Sequence, residues 1–281
     1  MRVAWLAGLA VLGCVASPAR GDEWSHRYPV KATADVHVKT DDGSVRIETT
    51  DAAEVAARVT TEGWRIGTGE VEITESQAGD RVEIAVRLPD RHSWLSMGHR
   101  SVRVVLQVPK HADLDVRTGD GSVEVQPVSG RLSISTGDGS ITVSGLQGDI
   151  RLHTGDGAIH ATGLGGQLKA DTGDGHMSVR GRFDLLELST GDGGIDAEVE
   201  PGSRVATAWS LRSGDGGIKL RLPEDLGAEL DAHTGDGHIA LDKALAVSGS
   251  IGASTVRGKL GAGGAPLKIQ TGDGSIDLRR P

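Results

Sequence analysis

The sequence predicts an all-β fold, a single-stranded parallel β-solenoid, on three observations. The tetrapeptide Thr-Gly-Asp-Gly recurs through the second half of the 281-residue chain. Glycine accounts for 42 residues and follows this repeat instead of being scattered. Valine, isoleucine and leucine recur at fixed distances from it. Repetition at a fixed period is the mark of folds in which one small unit stacks on the next.

The tetrapeptide sets the period of the predicted coil. Its aspartates from Asp120 to Asp192 are 18 residues apart, and the spacing is irregular after them. A near copy begins at Ser213, an earlier variant at Thr40 and a decayed copy at Thr255. We expect each copy to be a corner between two strands. The second turn of each coil is Gly-rich but variable, as in residues 145–148 and 163–166, and glycine is expected to supply positive φ at both kinds of turn. Complete copies begin at Thr118, Thr136, Thr154, Thr172, Thr190, Thr234 and Thr271.

Apolar residues stand in columns on either side of each corner. Ile141 and Val143 follow Asp138 by three and five residues, and Ile150 and Leu152 follow it by twelve and fourteen. The residue between the members of a pair is mostly polar, which is the period of a strand with one buried face. Each coil of about 18 residues is therefore predicted as strand, turn, strand, turn. Eight or nine coils in parallel make a rod roughly 40 Å long.

The repeat divides the chain into regions. Residues 22–112 are predicted to form an irregular, β-rich N-terminal part of the solenoid that also caps it, and residues 113–281 form the repeat solenoid. A cap is expected because an open solenoid end exposes a bare sheet edge.

Residues 1–21 read as a removable signal peptide. The apolar run from Val3 to Gly13 is shorter than the roughly 20 residues that span a bilayer. The segment ending at Cys14 also resembles a lipobox, in which case that cysteine would carry lipid. Cleavage of the signal peptide and lipidation at Cys14 both predict export to the periplasm or to the cell envelope or surface. The lipid anchor stays an open alternative.

Charge and aromatic residues bear on the partner. The formal net charge is −9, which argues against nucleic acid because nucleic acid requires clustered positive charge. We therefore expect an envelope or surface partner, protein or glycan. Exposed tryptophan is a common binding anchor, so Trp94, in an irregular loop, and Trp209, after an insertion in the repeat, are the candidate contacts. Packing of either ring against the rod is the alternative, and it is favoured for both.

The column of motif aspartates permits two interpretations. Each carboxylate could accept hydrogen bonds from amides of its own turn, as Asx turns do, with the flanking threonine hydroxyls stacked into a second ladder. Alternatively, a row of carboxylates could hold calcium, which prefers oxygen ligands. The residues concerned are Asp120, Asp138, Asp156, Asp174 and Asp192. The structural interpretation is favoured, and no other cofactor is expected.

Nothing in the pattern indicates an enzyme. Glycoside cleavage requires one pair of carboxyl groups about 5–10 Å apart, whereas the repeat spreads acids evenly. Motifs for a serine hydrolase or a zinc protease are missing. Aromatic platforms for stacking sugars are not expected either, because aromatic residues are 2% of the chain. The sequence thus predicts a non-catalytic binding scaffold, with a calcium-stabilised β-roll or a polysaccharide-processing β-helix as alternatives.

Several segments carry a family resemblance. They are Val102-Arg-Val-Val-Leu-Gln-Val-Pro109, then Leu114-Asp-Val-Arg-Thr-Gly-Asp-Gly-Ser-Val123, then the recurring Thr-Gly-Asp-Gly blocks. Over residues 30–279 the chain resembles the bacterial family of exported domains of unknown function 4097, which are proposed to be adhesins. The resemblance implies a β-solenoid in an envelope or surface protein. It carries over no catalytic residue.

Overall fold

A computed structural model describes residues 21–67, 69–88 and 100–281. Within these ranges the chain forms 23 strands and no helix, so none is present that is long and apolar enough to cross a membrane. The strands are β1 Glu23–Pro29, β2 Ala34–Thr40, β3 Ser44–Thr50, β4 Glu54–Glu62, β5 Glu72–Ala78, β6 Arg81–Arg87, β7 Ser101–Pro109, β8 Ala112–Thr118, β9 Val123–Val125, β10 Ser129–Thr136, β11 Ile141–Ser144, β12 Gln147–Thr154, β13 Ile159–Thr172, β14 Met177–Thr190, β15 Ile195–Val199, β16 Trp209–Ser213, β17 Ile218–Arg221, β18 Ala228–Thr234, β19 Ile239–Leu241, β20 Val247–Ile251, β21 Thr255–Leu260, β22 Pro266–Thr271 and β23 Ile276–Arg279.

The strands stack in two layers that enclose one core. The leading stack holds the strands before the corners, in the order β5–β6–β2–β8–β10–β12–β13–β14–β16–β22–β18–β21–β20. The trailing stack holds the strands after them, in the order β1–β4–β7–β3–β9–β11–β13–β14–β15–β17–β23–β19. Strands β13 and β14 run through both stacks and join them into one sheet. The predicted all-β, mainly parallel solenoid-like architecture is confirmed.

Side-chain alternation explains why the two stacks face each other. In β12, Ile150, Leu152 and Thr154 are buried and the residues between them are exposed. Ile150 pairs with Leu132 on one side and Leu168 on the other, so each apolar column runs straight along the rod. The interior is built from these columns because period-two alternation places every second side chain on the same face.

Chain order and spatial order differ at both ends of the rod. The unit β2–β3 lies between β6–β7 and β8–β9. At the other end, β22–β23 lies between β16–β17 and β18–β19. The expectation that consecutive coils always stack on each other is therefore wrong at the ends. The segments β4–β7 and β18–β21 instead lie outside the coils β2–β3 and β22–β23, respectively, and cover them.

The segment beginning at Thr255 also differs from expectation. It lies in β21, which pairs antiparallel with β18 and β20, so it is a strand and not a decayed corner. The antiparallel pairing arises because β20 and β21 form a hairpin at this end of the rod. Of the four residues of the motif, the segment keeps the threonine at 255 and the glycine at 258 and has lost the central Gly-Asp.

Candidate functional site: the glycine corners and the aromatic end

A ladder of threonine hydroxyls runs inside the corners. Thr154 is fully buried, and its Oγ1 donates to the carbonyl of Gly139 in the preceding coil at 2.9 Å. The same oxygen accepts from the backbone N–H of Gly157 in its own coil at 3.2 Å. Equivalent hydroxyl-to-carbonyl bonds are made by Thr118, Thr136, Thr172, Thr190, Ser213, Thr234 and Thr271. Each hydroxyl thus ties its own turn to the coil that lies next to it in the stack.

The motif glycines are required by close approach between coils. Among the described residues, positive φ occurs at glycines outside the motif, such as Gly145 and Gly163, and not at the motif glycines. A Cβ built on Gly157 would lie 2.1 Å from the carbonyl oxygen of Gly139, and one on Gly175 would lie 1.9 Å from that of Gly157. The expectation of positive φ is therefore wrong at these corners, where a side chain would collide with the neighbouring backbone.

The motif aspartates stand on the outside of the corners. Asp120, Asp138, Asp156, Asp174 and Asp192 are all exposed. Their carboxylates make no hydrogen bond or ion pair with any part of the chain that the structure describes, so the expected Asx-turn bonds are absent there. Among the turn amides, the N–H of the glycine after the aspartate, such as Gly157, bonds to the threonine hydroxyl. Within the same ranges, no three His, Cys, Asp or Glu side chains converge as metal ligands.

Carboxylates on the outer faces are paired across neighbouring strands. Lys169 lies 2.8 Å from Glu187, and Arg221 lies 2.7 Å from Asp196. These pairs repeat along the rod, with further examples at Arg46–Glu124 and Arg257–Asp231. Many of the charges on these faces are therefore paired.

Trp209 has a packing role, the favoured one of its two alternatives, and is not an exposed contact. It is fully buried in β16, and its Nε1 donates to the carbonyl oxygen of Asp184 at 3.2 Å. The longer insertion before it, residues 200–208, brings a large ring into a core position where neighbouring coils use smaller apolar residues. The other candidate contact, Trp94, lies outside the described residues, as do Cys14 and residues 1–20 of the predicted signal peptide.

Aromatic rings gather at the N-terminal end of the rod, which sequence reasoning missed. Trp24, His26 and Tyr28 alternate along the edge strand β1 and so share one face. The rings of His26 and Tyr28 stack at 4.7 Å, and the Trp24 ring lies 6.2 Å from His26. The available signal was the alternate spacing of the three rings in a chain poor in aromatic residues.

Glu75 holds this ring face against the leading stack. Its carboxylate lies 2.9 Å from His26 Nδ1 and accepts a hydrogen bond from the Tyr28 hydroxyl. Gln77 Nε2 donates to the Pro29 carbonyl at 2.8 Å, so the edge strands β1 and β5 close this end together. Burial raises the pKa of the Tyr28 hydroxyl well above its ordinary value, and the bond to and charge of Glu75 raise it further.

A second aromatic element lies at the same end. Trp64 is half-buried, and the Arg100 guanidinium sits over its ring, 4.3 Å from the centroid. The Trp64 carbonyl accepts from Thr61 Oγ1 at 2.8 Å, and Asp22 accepts from the Ile66 backbone N–H at 3.0 Å. These bonds tie the Trp64 turn to the chain just before β1. The end thus combines ring faces with a cation and an imidazole, a set suited to stacking and hydrogen bonding.

Comparison with known proteins gives a family and several similar folds. The family model described as Toastrack DUF4097 matches residues 33–279. The chain is similar to a proposed cell adhesion protein of Clostridium sporogenes, with 12% identity, 93% of this chain and 100% of that chain covered, and a TM-score of 0.32. It is also similar to a proposed adhesin of Bacteroides fragilis, with 10% identity, 94% of this chain and 100% of that chain covered, and a TM-score of 0.47. A third similar fold is that of a proposed lipid-binding protein of Parabacteroides distasonis, with 13% identity, 93% of this chain and 98% of that chain covered, and a TM-score of 0.47. No curated protein matches.

Proposed function

The chain belongs to the Toastrack DUF4097 family, and we propose that it is a non-catalytic binding scaffold of the cell envelope, exported by its N-terminal leader. The stacked coils supply a stiff rod in this proposal. Residues 22–112 supply both the cap of that rod and its contact surface. The repeat, with its coil of about 18 residues, serves to hold that surface at a distance.

The observation that carries the proposal is the chemical difference between the end and the faces. Along the faces, many carboxylates are paired with Arg or Lys on the same or a neighbouring strand, as in Lys169–Glu187. At the N-terminal end, Trp24 and Trp64 are only partly buried and lie beside Arg100 and His26. Large rings with polar partners supply binding energy more readily than exposed ion pairs, which are worth about 0–1 kcal/mol each.

The partner that suits this end is an envelope glycan or an envelope protein. Ring faces stack on the apolar faces of sugars or side chains, while the guanidinium and imidazole hydrogen-bond to hydroxyl or carboxylate groups. The net charge of −9 leaves little attraction for nucleic acid.

The experiment measures binding to three immobilised probes: peptidoglycan sacculi, lipopolysaccharide, and detergent-solubilised envelope proteins. We expect the wild-type chain to bind one of them and Trp24→Ala and Arg100→Ala to weaken that binding about tenfold or more. Arg131→Ala is the matched control, because Arg131 is an exposed arginine on an outer face. Equal binding by all four proteins, or no binding by the wild type, contradicts the proposal. Melting curves confirm that the variants are folded.

A further inference from the structure

The C-terminal end of the leading stack finishes on an open strand. Within the described residues, β20 pairs with β21 alone, so its second edge bonds to no strand. Gly252 N–H donates to the Thr255 carbonyl at 2.9 Å, which fixes the even-numbered residues of β20 as those bonded to β21. Because bonding alternates along an antiparallel strand, the N–H and C=O groups of Val247, Gly249 and Ile251 point to the open edge.

This edge lacks the features that normally block strand addition. Natural proteins protect edge strands with charge, proline or covering segments. No charged residue and no proline occurs from Ala244 to Val256. Ile251 is 61% exposed, the one large apolar side chain so exposed among the described residues. By contrast, the edge strand β5 at the other end carries Glu72 and Glu75.

The sequence of β20 is also complementary to itself. It reads Val-Ser-Gly-Ser-Ile, which is nearly the same in both directions. If two copies pair antiparallel about Gly249, each Val247 lies opposite Ile251 of the other copy, and each Ser248 lies opposite Ser250. Apolar pairs and hydroxyl pairs at directly opposite positions are the contacts that stabilise antiparallel strands. No like charges meet within the strand.

We infer that β20 is a dimerisation edge whose occupant is β20 of a second copy of this chain. The pairing is a twofold one in which the same strand serves both partners. It continues the leading stack from one molecule into the next, so the two rods lie end to end. Their aromatic N-terminal ends then point away from each other, which would give a two-headed binding unit. The inference stands on the strand edge and does not rest on the proposed function.

Disulfide trapping tests both the contact and its register. In the proposed pair, Ser248 and Ser250 of opposite copies occupy a non-hydrogen-bonded site with Cα atoms about 4.5 Å apart. That distance allows a disulfide. In full-length chains carrying Cys14→Ser, Ser248→Cys alone and Ser250→Cys alone are expected to give no cross-linked dimer. An equal mixture of the two, with differently sized tags, is expected to give the mixed dimer. No cross-link in the mixture, or a stronger one in either single variant, overturns the pairing.

Sedimentation equilibrium gives a readout without cysteine. The wild-type chain is expected to move from the monomer mass to twice that mass as concentration rises. Ile251→Lys, a change at an exposed side chain, is expected to stay monomeric while melting at the wild-type temperature. A wild type that remains monomeric at every concentration overturns the inference. So does a dimer that survives Ile251→Lys unchanged, because that dimer must use another surface.

Discussion

Replacing one buried corner hydroxyl should weaken the whole rod, and Thr154→Val is the sharpest form of the change. Valine keeps the shape of threonine, so the core around the side chain is not opened. What is lost is the donor to the Gly139 carbonyl, at 2.9 Å, and the acceptor for the Gly157 N–H, at 3.2 Å. Both groups then remain in a corner where Thr154 itself is fully buried.

The loss in the free energy of unfolding follows from the two groups left without a hydrogen-bond partner, the Gly139 carbonyl and the Gly157 N–H. A buried donor or acceptor left without a partner costs about 1–3 kcal/mol. Two such groups, partly relieved by adjustment of the corner, give an expected loss of about 2–4 kcal/mol in the free energy of unfolding. For a chain of this size, that loss lowers the melting temperature by roughly 5–15 °C.

Thermal and urea unfolding followed by circular dichroism measure the effect. Thr142→Val is the matched control, because Thr142 is exposed on β11 and the same change there should shift stability by no more than about 0.5 kcal/mol. Thr154→Ser should retain most of the stability, since Ser213 fills the same role and donates to Gly193 at 2.9 Å. If Thr154→Val and Thr142→Val melt together, the hydroxyl ladder does not hold the corners.

Three further changes test other parts of the account. Asp156→Asn removes one of a row of unpaired like charges, so it should raise the free energy of unfolding by up to about 1 kcal/mol at low salt. If the change lowers that free energy, and a chelator lowers the wild-type melting temperature, the results support the calcium-stabilised alternative. Because the folded state raises the pKa of Tyr28, unfolding releases its proton more easily, and stability should fall as pH rises above about 10. Tyr28→Phe should flatten that part of the pH profile, and an unchanged profile would contradict the assignment. Trp209→Ala should cost about 3–5 kcal/mol in urea unfolding, whereas a near-neutral result would mean that the ring does not fill the core.

The middle of the rod could be predicted from the sequence because one physical rule repeats there. Alternating apolar residues such as Ile150 and Leu152 specify a buried face, and a fixed distance to the next copy specifies the partner strand. The corner was also predictable as a place, and so was a ladder of threonine hydroxyls, but not which side chain bonds the turn amides. Thr154 and Asp156 are both able to bond turn amides, and only the geometry shows that the threonine does so.

The ends could not be predicted by the same rule. The apolar alternation of β2 would suit any neighbouring coil, so nothing in the sequence says that β2 pairs with both β6 and β8. Two alternatives stayed open for Trp209 for a related reason: a tryptophan after an irregular insertion can lie in a loop or return to the core. The stack of His26 on Tyr28 depends on β1 becoming an edge strand, which only the fold decides.

Native-state hydrogen exchange at the corner amides tests most directly whether the repeat is a self-sufficient structural ladder. The N–H groups of Gly139, Gly157 and Gly175 each bond to a threonine hydroxyl in the same turn. They should therefore exchange about as slowly as the core strands, with the same rates in calcium and in chelator. Exchange as fast as in exposed loops, or slow exchange only when calcium is present, would contradict this account of the corners.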